Sequence, residues 1–102
     1  MLQKFSMADF IANGFNECEP NFHSTAKSVC TKTVYVAGRR AFTIVVEYFV
    51  WERHEGWNAD AQFNMNSDQP TFNVVLLDVE SPQQVVDFFL GIWTKMECDH
   101  YG

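Results

Sequence analysis

Hydrophobic and β-branched residues are densest in one stretch of the chain, from Ala41 to Glu52. Its sequence, AFTIVVEYFVWE, is apolar on both alternating faces, and only Glu47 interrupts the second of them. A strand with two apolar faces is usually central in its sheet and covered on both sides. We therefore predict that this stretch is the middle strand of a small sheet, covered on both sides.

A hairpin is predicted just before this stretch. Residues 31–37 alternate and are rich in β-branched types, and Gly38 with the two following arginines separates them from the central strand. Two strands joined by about three residues that include a glycine are typical of a hairpin. We expect Glu47 to pair with Arg39 or Arg40 across this hairpin; the alternative is that it faces a partner.

Two more strands follow. Residues 60–66 alternate between apolar and polar side chains, a pattern typical of a strand with one buried face. Residues 71–79 are again rich in strand-favouring types and complete a four-stranded antiparallel meander. Residues 53–59 are predicted to be a polar loop around Gly56.

A short helix is predicted near the N-terminus, over residues 7–13. Ser6 and Asp9 have the spacing of a capping box, and Asn13-Gly14 is a typical helix end. Residues 15–30 show no period, and part of that segment is open to a helical turn or an edge strand.

A longer helix is predicted from Pro82 to about Glu97. Ser81 provides the cap, proline suits the first helical position, and Gln84 completes a capping box. Apolar residues then recur at helical spacing: Val85, Phe89, Ile92, Trp93 and Met96. The helix should lie across the sheet, with Phe89 and Val46 fully buried.

These elements predict one α+β domain over residues 1–102. It is a four-stranded antiparallel β-meander, flanked by a short N-terminal helix and a longer C-terminal helix packed on the sheet. Apolar residues make up 47% of the 102 positions, which suffices for a single core without help from a metal or disulfide.

Charge is distributed unevenly along the chain. The net charge is −6, with +2 in residues 1–46 and −8 in residues 47–102. This asymmetry suggests an acidic face, argues against nucleic acid as a partner because phosphate binding needs a basic patch, and is compatible with a basic protein partner. The alternative is that the acidity only keeps the domain soluble.

The cysteines indicate a reducing compartment. Their count is odd, at Cys18, Cys30 and Cys98, and the N-terminal residues MLQKF lack the apolar run of a signal peptide. No segment has the roughly 18 apolar residues of a membrane span. We expect a cytoplasmic protein with three free thiols and no membrane contact.

No metal, cofactor or catalytic motif is predicted. Potential zinc ligands are present, but their spacing matches no tight ligand knuckle: Cys18, His23, Cys30, Cys98 and His100. Glycine-rich phosphate loops, dinucleotide fingerprints and nucleophile elbows are all missing from the sequence.

Two catalytic pairings are conceivable, and neither is favoured. A cysteine could act as nucleophile with His23 or His54 as its base, although nothing local supports this. Glu52 or Glu55 could work with Asp60 as acid and base, although a small meander offers little cleft for a substrate. We do not expect an enzyme.

The candidate binding site lies around Trp57. Within the predicted loop this ring stands among three carboxylates, those of Glu52, Glu55 and Asp60. Tryptophan is enriched at binding hot spots, and flanking acids can steer a basic partner. We predict that these four residues bind the partner. The alternative is that Trp57 folds back over the sheet edge onto the core.

Size, acidity and the absence of catalytic motifs predict a binding or inhibitor protein. Two classes fit: immunity proteins that block the active or substrate-binding site of a nuclease-type toxin, and phage-encoded (anti-CRISPR-like) inhibitors of host defence nucleases. In both, an acidic face can occupy a basic nucleic-acid site on the target, with no direct contact to nucleic acid. A small Cys/His metal protein or enzyme is the less favoured alternative. The oligomeric state stays open.

Overall fold

Two helices and a five-stranded antiparallel sheet make up the fold. A computed structural model describes residues 6–19, 26–51, 54–63 and 72–101. The elements in chain order are α1 (Met7–Ala12), β1 (Asn16–Cys18), β2 (Ser28–Val36), β3 (Arg39–Trp51), β4 (His54–Phe63), β5 (Phe72–Leu76) and α2 (Pro82–Tyr101).

The sheet follows the order of the chain, β1-β2-β3-β4-β5, and each strand is antiparallel to its neighbours. The α+β class and the antiparallel meander are confirmed, and β3 is the central strand. The predicted number of strands was one too few. The additional strand, β1, is three exposed residues paired with β2. Because backbone pairing holds it, its side chains carry no burial pattern that the sequence could reveal.

The predicted loop over residues 53–59 is wrong, because β4 begins at His54. The long central strand continues to Trp51 and therefore offers backbone groups that a partner strand must satisfy. The residues after the turn supply them, with Gly56 opposite Phe49 and Glu55 opposite Val50. Backbone hydrogen bonding thus overrides the polar composition of this segment.

One face of the sheet carries the core, and we call it the helix-covered face. Phe42, Ile44 and Val46 of β3 point to it, as do Ala59 and Ala61 of β4, and all five are buried. In the described part of the chain both helices pack on this same face. The expectation that β3 would be covered on both sides is therefore not met there.

Helix α1 is capped at its start and joined to the sheet at its end. The Ser6 amide donates a hydrogen bond of 2.6 Å to the Asp9 carboxylate, which satisfies a free donor of the first turn, as predicted. After the helix, Gly14 has a φ of 89°, and the Lys32 ammonium of β2 donates to the Asn13 carbonyl at 2.9 Å. A cation at this end also opposes the helix dipole. The charge of Lys32 thereby fixes α1 to β2.

Helix α2 starts where the sequence predicts. The Gln84 amide donates to the Ser81 hydroxyl at 3.1 Å, and the Gln84 side chain accepts from the Glu80 amide at 2.6 Å. Val46 and Phe89 are both 0% exposed, so their predicted burial is confirmed. Neither helix of the described residues combines the length and apolarity needed to cross a bilayer.

We expect Phe89→Ala to destabilise the protein by about 3–5 kcal/mol, because it removes a fully buried ring from the α2–sheet contact. The Phe89 ring centroid lies 6.3 Å from that of Phe63. Chemical denaturation measures the loss. The matched control is Phe88→Ala, one position along and 37% exposed, which should cost less than half as much. Equal losses at the two positions would contradict this packing.

Candidate protein-binding site

Strand alternation separates the residues predicted to bind a partner. Glu55 and Trp57 lie on the helix-covered face of β4, two positions apart, whereas Asp60 lies on the opposite face. Glu52 is outside the described residues. The described members of the predicted set therefore do not form one surface, and their role in binding stays a prediction.

Trp57 is a core residue. Its side chain is 3% exposed, and its ring centroid lies 4.6 Å from Phe10 of α1 and 4.9 Å from Tyr48 of β3. The predicted loop position is wrong, and the alternative of packing on the core is confirmed, within β4 rather than folded back over an edge. Trp57 therefore holds α1 against the sheet.

Glu55 is exposed and held in place by a neighbouring strand. It lies diagonally across from Tyr48, whose hydroxyl donates a hydrogen bond to its carboxylate. This hydrogen bond, with smaller effects of burial and of the Glu55 charge, raises the pKa of Tyr48. The carboxylate is available to solvent at the end of the helix-covered face.

The second face of the sheet is not covered by either described helix, and we call it the open face. Across its middle runs a row in which each residue is paired with the next, from Thr31 through Val45 and Asp60 to Val75. Other described members lie on either side of this row and include Val29, Thr33, Thr43, Glu47, Phe49, Asn58, Gln62 and Asn73, of which Val29 is buried. Val75 is 54% exposed.

A shallow depression occupies one end of the open face. Thr43 forms a 3.2 Å hydrogen bond with Thr33 and accepts one of 3.4 Å from Arg40 at the rim. The lining residues come from three strands: Arg40, Ala41, Phe42, Thr43, Val45, Asp60, Gln62 and Asn73.

The expected pairing of Glu47 with an arginine of the hairpin is wrong. Glu47 lies opposite Val29 and Asn58, whereas Arg40 is seven residues away along the same strand, or about 23 Å. The register instead makes Glu47 a diagonal neighbour of Asp60 on the open face. Side chains in diagonal positions are roughly 7–8 Å apart.

Asp60 has an unfavourable setting for a charge. Its two partners in the row are the valines Val45 and Val75, and its side chain is half-buried. Burial raises the pKa of Asp60, and the nearby charge of Glu47 raises it further. The cost of ionising Asp60 therefore comes from its half-buried position between two valines and from the nearby Glu47 charge.

This pair of carboxylates was not found from the sequence. The signal in the sequence is the distance from the end of the strand pair. Trp51 of β3 pairs with His54 of β4, and counting back four residues on each strand places Glu47 opposite Asn58, hence beside Asp60. The prediction of a loop over residues 53–59 concealed that register, because it placed the β4 turn six residues too late.

The structure offers little support for metal or acid–base chemistry in its described part. Among the described residues, no three His, Cys, Asp or Glu side chains are grouped to hold a metal ion. Glu55 and Asp60 occupy opposite faces, so they cannot act on one substrate atom. His23 lies outside the described residues, as do the side chains of His54, Cys98 and His100.

Two cysteines have contrasting environments. Cys18 of β1 is exposed and Cys30 of β2 is 0% exposed, and both are free thiols. Register pairs Cys18 with Val29, so the neighbouring Cys30 points to the other face and the two sulfurs cannot meet. Burial raises the pKa of Cys30 to about 12, with smaller effects of Cys18 and Glu17.

We expect N-ethylmaleimide to label Cys18 and to leave Cys30 unlabelled in the native protein at about pH 8, since the thiolate is the reactive form. Mass spectrometry of proteolytic peptides checks this. Denatured protein is the control, in which both residues should react. Equal labelling in the native state would contradict the burial of Cys30.

We expect Asp60→Asn to raise the melting temperature at neutral pH. Since the folded-state pKa of Asp60 lies above its usual 3.8, stability is greatest when the carboxyl is protonated and falls as pH rises through the folded pKa. Asparagine carries no charge and removes this loss of stability. The difference in melting temperature between the variant and the unmodified protein should therefore shrink well below pH 3.8, where the carboxyl is protonated. Thermal unfolding across pH measures it. Asp87→Asn, on the exposed surface of α2, is the control and should give no comparable gain.

Comparison with known proteins provides no relative from which a function could be carried over. No family model matches the chain, and neither the curated proteins nor the solved structures include a significant match. The function must therefore be argued from the charge and geometry of this molecule.

Proposed function

We propose that this protein is a small acidic inhibitor that binds and neutralises a basic protein partner. The partner most consistent with its charge is a nuclease-type toxin, whose active or substrate-binding site the protein would block as an immunity protein. A phage-encoded inhibitor of a host defence nuclease is the alternative, since such a target has the same basic chemistry. Neither proposal involves direct contact with nucleic acid.

The observation that supports the proposal is the concentration of carboxylates in the later elements of the fold. The sheet follows the order of the chain, so the acidic second half of the sequence supplies β4, β5 and α2, which follow the central strand. The described residues 54–63 and 72–101 carry seven carboxylates and one lysine. A concentration of one sign of charge speeds the encounter with an oppositely charged partner.

In this proposal the protein neutralises its partner by occupying the partner's phosphate-binding site. A nuclease binds phosphates through lysine and arginine side chains, and carboxylates presented on a rigid surface can take the place of those phosphates. Glu55 and Asp60 contribute such charges from opposite faces of β4, and Glu52 belongs to the same proposal. Trp57 supports the site from the core, because its ring fixes α1 and β4 together.

Location in the cytoplasm is part of the proposal. Both described cysteines are free thiols, and an exposed thiol such as Cys18 persists in a reducing compartment. An inhibitor of a nuclease would be needed in the compartment that holds the nucleic acid.

The first test is the salt dependence of complex formation. The immobilised protein captures partners from an extract of its native host, and mass spectrometry identifies them. We expect the association rate constant with the identified partner to fall at least about tenfold between roughly 0.01 M and 1 M ionic strength, as the Debye length shrinks from about 30 Å to about 3 Å. The dissociation rate constant should change much less. An association rate indifferent to salt would contradict charge-driven binding.

The second test separates the two kinds of target. Co-expression with a toxin encoded beside the gene should restore growth if the protein is an immunity protein. Restored phage plating on a host that carries a defence nuclease would instead identify the phage inhibitor. Charge reversal at Glu55 and Asp60 should weaken either rescue in a protein that still folds. If neither rescue occurs and no basic partner is captured, the proposed function is wrong.

A further inference from the structure

The sheet ends at two edge strands, β1 and β5, which differ in their capacity to pair with a further strand. An edge strand presents backbone N–H and C=O groups that another strand can bind, and proteins block this pairing with short strands, charges, prolines or bulges. β1 has only three residues, and Glu17 lies at its centre. It therefore offers little to a second strand.

β5 has none of these protections. It pairs with β4 over five consecutive residues without a bulge, and among the described residues no strand pairs with its other side. Residues 72–77 contain neither a charge nor a proline. Val75 and Leu77 lie on the same side of the chain and are 54% and 63% exposed. Unpaired backbone groups beside exposed apolar side chains are the features to which an added strand binds.

A second copy of β5 matches this edge in length, polarity and charge. All neighbouring strands of the sheet are antiparallel, and two copies related by a two-fold axis perpendicular to the sheet continue that arrangement. With the axis at Val75, each Val75 lies opposite its own copy and Asn73 lies opposite Leu77. Asp78 then lies opposite Phe72, so no carboxylate of residues 72–78 meets another.

The charge nearest to the centre of this contact is Asp60 of β4, which pairs with Val75. Because it lies one strand further in, its two copies are three strand spacings apart, or about 14 Å. That distance exceeds the Debye length of about 8 Å at physiological ionic strength, so their repulsion is largely screened. The net charge of −6 on each chain therefore opposes the contact mainly at low salt.

We propose that this protein forms a dimer by antiparallel pairing of β5 with β5 of a second copy, which joins the two five-stranded sheets into one continuous sheet. The two-fold axis keeps both helix-covered faces on the same side of that sheet. Because β1 is too short to receive β5, the assembly closes at two copies and does not grow into a fibre. The inference does not depend on the proposed function, since it concerns contact between identical chains.

The first test is the mass of the protein in solution. Sedimentation velocity at about 0.15 M ionic strength, where the charges are screened, should show a change from one chain to two as the protein concentration rises. A single chain at every concentration up to about 1 mM would overturn the inference, and so would growth beyond two chains.

A pair of matched variants locates the contact. Val75→Lys introduces a charge at the centre of the edge and should raise the dissociation constant of the dimer at least about tenfold. The control is Val50→Lys, the same substitution at a valine of similar exposure, 48%, on β3, which is not an edge strand. It should change the constant less than about threefold. Equal effects at the two positions would overturn the assignment to β5.

Circular dichroism checks that each variant folds. If Val75→Lys does not, Leu77→Lys replaces it, since this side chain is 63% exposed and lies just beyond the strand. A dimer unchanged by Leu77→Lys would then overturn the assignment.

Cross-linking tests the register independently. Residues directly opposite each other in antiparallel strands have Cα atoms about 4.5–5.5 Å apart, which is within reach of a disulfide. In a chain with serine in place of Cys18 and Cys98, Val75→Cys should form a disulfide to its own copy when oxidised glutathione is added. Val50→Cys in the same background should not. Mass spectrometry of proteolytic peptides identifies the link, and its absence from a dimeric Val75→Cys protein would overturn the proposed pairing.

Discussion

The structure depends on the burial of one aromatic-rich face of the sheet under two helices from opposite ends of the chain. Phe10 of α1 packs on Trp57, and Phe89 of α2 packs on Phe63, two contacts on the same strand, β4. At six residues α1 is too short to be stable alone, so it depends on this packing, and the Phe89 ring fixes α2 on the same face. Because both helices use one face, the described part of the chain leaves the other face uncovered.

That division gives the two faces different chemistry. The helix-covered face is built from large apolar side chains and excludes charge from its centre, with Lys32 and Glu55 at its margins. The open face combines threonines, valines and amides with the two carboxylates Glu47 and Asp60.

In the meander, strands that are consecutive in the sequence lie side by side in the sheet. The order of charged residues along the chain is therefore kept in the order of the strands that carry them. The basic residues Arg39 and Arg40 therefore lie at one end of the central strand β3, and seven of the described carboxylates follow from β4 onwards, although Arg40 and Asp60 line the same depression.

The sequence by itself determined the α+β class, the meander, the start of both helices and the burial of Val46 and Phe89, because capping residues and side-chain periodicity are local signals. Tertiary structure alone decided three things. Strand β1 and the first half of β4 form because the edges of β2 and β3 must pair their backbone groups, which polar side chains do not reveal. Trp57 is buried because β4 extends through it. Glu47 meets Asp60 because register, set by where the chain turns, decides which distant residues become neighbours.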